Sequence, residues 1–334
     1  MVSAVIFVAT SCVSPLTGFA FWETNLAYEG ESIYNYLQVK NLSDRTILST
    51  NVLFGVQSVT MKDKGLTGMY YDTALAAPAL ADNADSALIL GMGTGTYARQ
   101  LKQYYPKMNI TGVEIDQKIT DLAGEYFDEP ADIPVTTYDG RAWLAASHDK
   151  YDVIMVDAYQ DITIPFQMSS TEFFTMVREH LNPGGVMVVN MNMISDGQGS
   201  INEALSDTIA SVFGNGNTLT ADVPNTTNRE LFAKKPGSGS EENSVQQASK
   251  ALNLRETTYE RTGSEDLEWY MEEVASRFRK VNEPDSASTI LTDDKAPVEV
   301  LGMHAIDQII ADEAGPYRQI LKDEGFGGLL RAVQ

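Results

Sequence analysis

The spacing of hydrophobic positions changes near residue 86 of this 334-residue chain, and the change predicts two kinds of architecture. Residues 31–70 contain short runs rich in Ile, Val, Tyr and Thr between turn residues, which predicts short β-strands. From residue 86 onward, continuous apolar runs alternate with stretches of helical periodicity. This alternation is typical of a parallel sheet with crossover helices, so the predicted fold class is α/β.

The alternating region contains five predicted strands with helices between them. The strands are expected at 86–91, 109–115, 133–138, 151–157 and 185–191. The helices are expected near 95–105, 117–127, 140–147, 170–181 and 201–213. "NPGG" at 182–185 is interpreted as a helix stop and a turn, and "TLTADVP" with "RELFAKK" as a closing antiparallel pair.

The N-terminal stretch "MVSAVIFVATSCVSPLTGFAFW" is apolar, and no Lys or Arg precedes Lys40. The absence of a basic start argues against a secretory signal, and the interrupted apolar run is short for a membrane span. Two interpretations stay open: a buried strand or helix, or the end of a membrane segment from a longer protein. We favour the second.

Composition narrows the possible partners. The chain is 43% hydrophobic and 21% charged, as in ordinary globular proteins, but its net charge is −22. A surface with this much negative charge repels nucleic acid and attracts cations. We therefore expect no nucleic-acid partner, and the charge is compatible with a small cationic substrate. Cys12 is the single cysteine, which excludes an intrachain disulfide and a CxxC metal site and fits a reducing compartment; we expect no metal.

Three glycines alternate in "LILGMGTGTYARQL", between a predicted strand and a predicted helix. Gly91, Gly93 and Gly95 would let the backbone approach a ligand, and the helix N-terminus offers free N–H groups. Such a turn also occurs where only close packing requires it. Whether it indicates a ligand site therefore depends on the residues that follow.

Acidic residues follow the next predicted strands. Glu114 ends the second strand, about 20 residues beyond the turn, where a carboxylate can accept the ribose hydroxyls. Asp116 lies two residues later, Asp139 and Gly140 follow the third strand, and Asp157 ends the fourth. Each carboxylate alone could cap a helix, Asp139 in particular. Together, at the edge where open α/β sheets bind ligands, they predict a nucleoside-type cofactor.

Two cofactor classes compete for this edge. A dinucleotide fold would place its third glycine at position 96, which is Thr96, and its diphosphate would meet the carboxylates. S-adenosylmethionine (AdoMet) has no phosphate and carries a sulfonium cation, which an acidic pocket favours. The sequence therefore predicts an AdoMet-type cofactor.

At this point the chain resembles the spermidine synthase (polyamine aminopropyltransferase) family. The resemblance runs in family order from about 31 to 235 through "SIYNYLQV", "LFGVQSVTMKDKGLTGMYYDTAL", "ALILGMGTGTYARQL", "GVEID", "YDGRAWL" and "YDVIMVDAYQD". It implies a small N-terminal β-domain before a Rossmann-like, AdoMet-dependent methyltransferase-type fold. "VDAYQDITIPFQMSSTEFF" and "LTDDKAPVE" resemble the branch that is fused to a membrane transporter-like region.

The resemblance and the patterns together divide the chain into four regions. We expect an apolar segment at 1–25, a small β-strand domain at 26–75, the Rossmann-like AdoMet-binding domain at 76–236 and a mainly helical C-terminal extension at 237–334.

The resemblance also implies roles for individual residues. Gln57 matches a cofactor-contacting glutamine, Glu114 the ribose-binding acid, Asp139 the acceptor from the adenine amino group and Asp157 the aspartate that takes a proton from the attacking amine. Tyr70 matches a tyrosine of the amine site and Asp72 a nearby acid. The predicted cofactor-binding residues are Gln57, Gly91, Gly93, Thr94, Gly95, Glu114, Asp116, Asp139 and Gly140. The predicted substrate-binding residues are Tyr70, Tyr71, Asp72, Tyr159, Gln160 and Asp161, where the tyrosines are either cation-binding or core residues.

Two positions depart from the family pattern. The aspartate of the family's GGGDG turn, which holds the aminopropyl ammonium, is Thr94 here, and the second active-site aspartate is Gln160. A neutral Thr94 leaves both AdoMet and decarboxylated AdoMet open as the cofactor. Asp161, or Asp293 and Asp294 of a late loop interpreted as an active-site lid, are candidates to replace the lost carboxylates.

Three functions follow. The first is a spermidine synthase-like transferase that moves an aminopropyl or related group to an amine and releases methylthioadenosine, with Asp157 as the base. The second is a small-molecule methyltransferase or an AdoMet-cleaving enzyme. The third is a non-catalytic nucleoside-binding domain of a membrane protein. The resemblance implies a homodimer, and we expect a cytoplasmic protein, alone or as the soluble domain of a membrane protein.

Overall fold

The computed structural model describes residues 20, 23–51, 55–128, 130, 132–159, 164–192, 199–237, 254–285, 288–303 and 322. The predictions for Gln160 and Asp161, for most of the 1–25 segment and for a final helix beginning at about 304 fall outside these residues.

The N-terminal part forms a four-stranded antiparallel sheet, as predicted from the short β-branched runs. Its strands follow chain order: β1 Leu26–Glu31, β2 Tyr36–Asn41, β3 Arg45–Thr50 and β4 Ser58–Met61. Leu37, Val39 and Leu48 form one buried cluster with Ile119 and Leu122 of the second domain. The small sheet therefore packs against the larger unit and forms part of its site.

The larger unit is built on an eight-stranded sheet. Its strands are β5 Ser86–Leu90, β6 Asn109–Glu114, β7 Val135–Thr137, β8 Tyr151–Val156, β9 Leu181–Met191, β10 Thr218–Asp222, β11 Arg229–Lys234 and β12 Arg279–Lys280. They lie in the order β12-β10-β11-β9-β8-β5-β6-β7. Strands β5 to β9 are parallel to one another, whereas β10, β11 and β12 pair antiparallel. This order is that of a Rossmann-like methyltransferase fold, and the predicted α/β class is confirmed.

Helices cover both faces of this sheet. They are α1 Tyr70–Ala74, α2 Ala76–Leu80, α3 Thr96–Tyr104, α4 Gln117–Tyr126, α5 Gly140–Ala146, α6 Thr171–His180, α7 Ile201–Phe213, α8 Leu254–Thr262 and α9 Glu265–Arg277. Apolar residues of α1, α2, α3, α8 and α9 pack on one face, and those of α5, α6 and α7 pack on the other. Strand β8 is buried at every position, which is why it has a continuous apolar pattern.

The "NPGG" stretch differs from its prediction as a turn, because it lies inside β9. Tyr151 and Val153 of β8 pair with Leu181 and Val186, so the extra residues of β9 form a bulge. Gly184 adopts a φ of 77° there, and its N–H donates to the Lys235 carbonyl at 3.0 Å. The strand therefore begins earlier than the apolar run that predicted it.

Within the described part of the chain, no helix has the length and apolar character needed to cross a membrane.

Candidate active site

The glycine turn after β5 lies so close to its neighbours that residues with a side chain would not fit there. Gly91 has a φ of 88° and Gly93 a φ of 56°, both in the left-handed region. A Cβ at Gly91 would lie 2.3 Å from the Asp157 carbonyl oxygen, and one at Gly93 would lie 2.7 Å from Ser58 Oγ. The turn therefore contacts the end of β8 on one side and the small sheet on the other.

A cavity of about 320 Å³ opens where this turn, the small sheet and the strand ends meet. The predicted site residues that line it are Gln57, Tyr70, Tyr71, Gly91, Gly93, Glu114, Asp139, Gly140, Asp157 and Tyr159. Residues from β5, β6, β8 and the small sheet thus converge at one edge, as the strand-end argument predicts.

Glu114 is fixed by the backbone around it. Its Oε2 accepts the Gly93 N–H at 2.8 Å and its Oε1 accepts the Asp116 N–H at 3.0 Å. Burial raises the pKa of Glu114, and these backbone hydrogen bonds oppose the rise. A carboxylate has about four acceptor positions, so Glu114 can still accept hydroxyl groups from a ligand.

Asp157 is held by side chains. Tyr70 Oη donates to Oδ2 at 2.7 Å, and Asn190 Nδ2 donates to Oδ1 at 3.0 Å. Burial raises the pKa of Asp157 to about 7, while both hydrogen bonds lower it and the charge of Glu114 raises it further. A carboxyl group with this pKa can accept a proton near neutral pH.

Asp139 caps a helix and also lines the cavity. It precedes α5, and its Oδ1 accepts the Ala142 N–H at 2.8 Å as a helix cap. It also lines the cavity beside Gly140. One oxygen is therefore engaged in the cap while the side chain stays at the cavity wall.

Two predicted carboxylates do not reach the cavity. Asp116 caps α4, accepting the Lys118 N–H at 3.0 Å, and its Oδ2 accepts Ser32 Oγ at 2.5 Å and Asn35 Nδ2 at 3.0 Å. Asp116 thereby fixes the β1–β2 turn against β6, instead of facing a ligand.

Asp72 is also engaged within the protein. Its Oδ1 accepts the Thr67 N–H at 2.9 Å, and its Oδ2 accepts the Gly68 N–H at 2.7 Å. The Gln100 amide donates to it as well. Asp72 was predicted to lie in the amine site. Its carboxylate instead holds the loop before α1 and does not line the cavity.

Thr94 and Gly95 are likewise not part of the described cavity lining. Gly95 has a φ of 81° directly before α3, so it serves the turn itself. Thr94 is fully buried, and its Oγ1 has no hydrogen-bond partner among the described residues.

The late acidic loop differs from its interpretation as a lid. Arg141 donates to Asp293 Oδ1 at 2.7 Å and to Oδ2 at 2.6 Å, and Ser170 Oγ donates to Oδ1 at 2.5 Å. Arg141 Nη1 also donates to the carbonyl of Gln167, which lines the cavity, at 2.8 Å. Asp293 therefore supports the cavity wall from behind and is not free to replace a lost amine carboxylate.

Several lining residues were not predicted. Tyr34 and Asn35 of the β1–β2 turn, Ser58 of β4 and the segment 165–168 contribute to the wall or its support. They lie far from the glycine turn in sequence. Asn190, which holds Asp157, did have a signal, because it is a polar residue within the apolar run of β9.

The cavity is acidic. Glu114, Asp139 and Asp157 line it, and none of the described lining residues is Lys, Arg or His. Such a wall attracts cationic groups and repels phosphates or carboxylates. The glycine cradle and the acidic wall together fit a nucleoside that carries a sulfonium. Among the described residues no group of His, Cys, Asp and Glu has the arrangement of a metal site.

Comparison with known proteins shows similarity to one family of enzymes. A profile of the "Spermine/spermidine synthase domain" matches residues 70–235. A "Probable polyamine aminopropyl transferase" of Bifidobacterium longum is 99% identical over 334 residues, which is all of this chain and 75% of that protein. A "Polyamine aminopropyltransferase" of Vibrio vulnificus is 28% identical over 209 residues, covering 60% of this chain and 69% of the relative.

Solved structures with the same fold include a probable spermidine synthase from Corynebacterium glutamicum. It has a TM-score of 0.55 and 22% identity, covering 80% of this chain and 99% of that one. A spermidine synthase in complex with the transition-state analogue AdoDATO has a TM-score of 0.53 and 18% identity, covering 75% and 88%.

Proposed function

This chain belongs to the spermine/spermidine synthase family, and from that premise we propose that it is a polyamine aminopropyltransferase that uses decarboxylated AdoMet. The observation that carries the proposal is Asp157, held at the cavity wall by Tyr70 and Asn190 with its pKa raised to about 7. This carboxylate is suited to receive a proton from an attacking amine.

The acidic wall supports the decarboxylated form of the nucleoside. The tail of intact AdoMet carries a carboxylate, which would meet Asp157 with no Lys or Arg in the described lining to balance it. An aminopropyl tail ends in an ammonium group, which the same wall attracts. Thr94 had left intact AdoMet open, but that side chain is not part of the described cavity lining.

The remaining walls suit the nucleoside. We propose that Glu114 accepts the ribose hydroxyls, that Asp139 accepts from the adenine amino group, and that the Gly91–Gly93 turn lies against the sulfonium end. Gln57 and Tyr71 are linked at this wall, because Tyr71 Oη donates to the Gln57 carbonyl at 2.6 Å.

The transfer is a substitution at carbon. The acceptor amine uses its nitrogen lone pair to form a C–N bond with the carbon attached to the sulfonium. The C–S bond breaks, and its electron pair stays on sulfur, which leaves neutral methylthioadenosine. The proton lost by the amine passes to Asp157 and from there to water. Because the leaving group needs no proton, the remaining contribution of the site is in-line positioning.

Product analysis tests this proposal. The protein is incubated with AdoMet or decarboxylated AdoMet, with and without 1,4-diaminobutane, and the nucleoside product is identified. We expect methylthioadenosine from the decarboxylated form and only when the amine is present. S-adenosylhomocysteine would instead show methyl transfer, and methylthioadenosine without an acceptor would show AdoMet cleavage; either result contradicts the proposal.

A further inference from the structure

Glu230 places a second carboxylate near Asp157. It is on β11, directly opposite Asn190 of β9, and Asn190 donates to Asp157 at the end of β8. Because β11 runs antiparallel to β9, its first residues lie at the carboxyl edge of the parallel strands. Asp157, Asn190 and Glu230 therefore lie at the ends of three adjacent strands, at the edge that carries the cavity.

Glu230 also faces the amine side of the sheet. Directly opposed residues of an antiparallel pair point to the same face, so Glu230 shares a face with Asn190. Phe232, two residues along β11, packs in the same buried cluster as Tyr70 and Tyr97. This is the face from which Tyr70 reaches Asp157.

Within the part of the chain that the structure describes, no opposite charge or hydrogen bond balances the Glu230 carboxylate. Glu230 is 0% exposed, and neither of its oxygens has a hydrogen-bond partner among the described residues. Asp152, a buried acid of β8, accepts the Asp85 N–H at 2.9 Å, the Ser86 N–H at 3.1 Å and Asn182 Nδ2 at 2.8 Å. A buried carboxylate without such donors destabilises the fold unless it is neutral or a cation binds it.

The electrostatics agree with this geometry. Burial raises the pKa of Glu230 well above its usual value, and the charge of Asp157 raises it further. In the absence of a cation, a proton on Glu230 is therefore held more tightly than usual. A cation that reaches this position would favour the ionised form and gain a strong charge-assisted hydrogen bond.

We propose that Glu230 binds a primary ammonium group of the substrates, as a second carboxylate at the amine end of the site. This inference rests on the proposed function and adds a residue to it. The ammonium comes from one of two sources: the aminopropyl tail of the nucleoside, or the far end of a diamine acceptor. Thr94 and Gln160 are neutral at the two positions where the resembled family has amine-holding aspartates, and Glu230 supplies a carboxylate from a different strand.

Glu230 is not part of the described cavity surface, so binding requires a side-chain movement beside Asp157 and Tyr159, which do line it. Tyr159 lies close enough to Glu230 for the carboxylate charge to raise the pKa of the phenol. We therefore expect a ligand that binds Glu230 to change the electrostatic environment of Asp157 and Tyr159.

Glu230→Gln tests the proposal, because it keeps the shape of the side chain and removes its charge. KM is measured for decarboxylated AdoMet, for 1,4-diaminobutane and for 1-aminobutane, which lacks the second amine. We expect the KM of the substrate whose ammonium binds Glu230 to rise about tenfold or more, with a smaller change in kcat. If the tail is bound, the nucleoside KM rises with either acceptor. If the acceptor is bound, the preference for the diamine over the monoamine falls by the same factor.

Asp207→Asn is the matched control, because Asp207 is a buried acid of α7 on the opposite face of the sheet. It should leave all three KM values unchanged. Glu230→Met and thermal melting give a second test in case the amide variant folds poorly. Both Glu230 variants should melt at or above the wild-type temperature, while the stabilisation by decarboxylated AdoMet or by 1,4-diaminobutane decreases.

Unchanged KM values and an unchanged diamine preference in Glu230→Gln would overturn the inference. Lower melting temperatures in both Glu230 variants with normal ligand stabilisation would also overturn it, because they would assign Glu230 a structural role. Neither result affects the proposed function, which fails only if the wild-type protein produces no amine-dependent methylthioadenosine.

Discussion

The carboxylates on the proposed nucleoside side of the cavity and those on the proposed amine side differ in their hydrogen-bond partners. Glu114 and Asp139, on the nucleoside side, accept backbone N–H groups of the turn, the strand ends and a helix start. Asp157, on the amine side, is held by two side chains, and Glu230 has no partner among the described residues.

This difference fits what each side is proposed to bind. Ribose and adenine are neutral, so the nucleoside side needs carboxylates that are already oriented, and fixed peptide N–H groups supply that orientation. In the proposed reaction the amine side exchanges a proton and receives cations, and Glu230, which has no hydrogen-bond partner among the described residues, has oxygens available for a substrate. On the proposed reacting side, the buried carboxyl groups are thus held by side chains or have no partner among the described residues.

The largest effect is expected from Asp157→Asn. The amide cannot accept the proton of the amine, so kcat should fall about 100-fold or more, while the affinity for decarboxylated AdoMet changes little. Steady-state kinetics with calorimetric binding measure both quantities. Asp207→Asn, which removes a buried carboxylate on the opposite face of the sheet, is the control and should keep wild-type kcat. A normal rate in Asp157→Asn would remove this residue from the mechanism.

A smaller effect of a different kind is expected from Glu114→Gln. The amide NH₂ cannot accept, so one backbone N–H loses its partner and one ribose contact weakens. The dissociation constant of methylthioadenosine should rise about tenfold, while KM for the diamine stays close to wild type. Calorimetry with methylthioadenosine measures the change. If kcat fell instead and nucleoside binding were unchanged, the division of the cavity into two sides would be wrong.

The smallest effect is expected from Tyr70→Phe, and it appears in the pH profile. In the wild type, the rate should decrease as the pH falls through about 7, because Asp157 becomes protonated. Tyr70 donates to the ionised carboxylate and lowers its pKa, so removing the hydroxyl raises that pKa. The acidic limb of kcat/KM should move to higher pH by about one unit or less. Tyr71→Phe is the control, because Tyr71 Oη donates to the Gln57 carbonyl, and it should leave the limb in place.

The strand and helix alternation could be predicted from sequence because buried parallel strands have continuous apolar runs. Strands β5, β6 and β8 and helices α3, α4, α6 and α7 lie within one or two residues of their predicted bounds. The convergence of Glu114, Asp139 and Asp157 also followed, because parallel strands end at one edge.

The direction in which each strand-end acid points could not be predicted. Asp116 resembles Glu114 in the local pattern, yet Ser32, which donates to it, lies 84 residues away. Such partners become neighbours only through the tertiary fold. The homodimer and the association with a membrane region remain predictions from the family resemblance, as do the roles of Gln160 and Asp161.

The contact between Gly91 and the Asp157 carbonyl has a consequence for how this enzyme type can diversify. Backbone lies against backbone there, so in the proposed reaction the distance from the leaving sulfur to the proton acceptor is set by the scaffold. In the proposed reaction, selection for new acceptors therefore has to work on other walls of the cavity, such as the β1–β2 turn, which contributes the side chains of Tyr34 and Asn35.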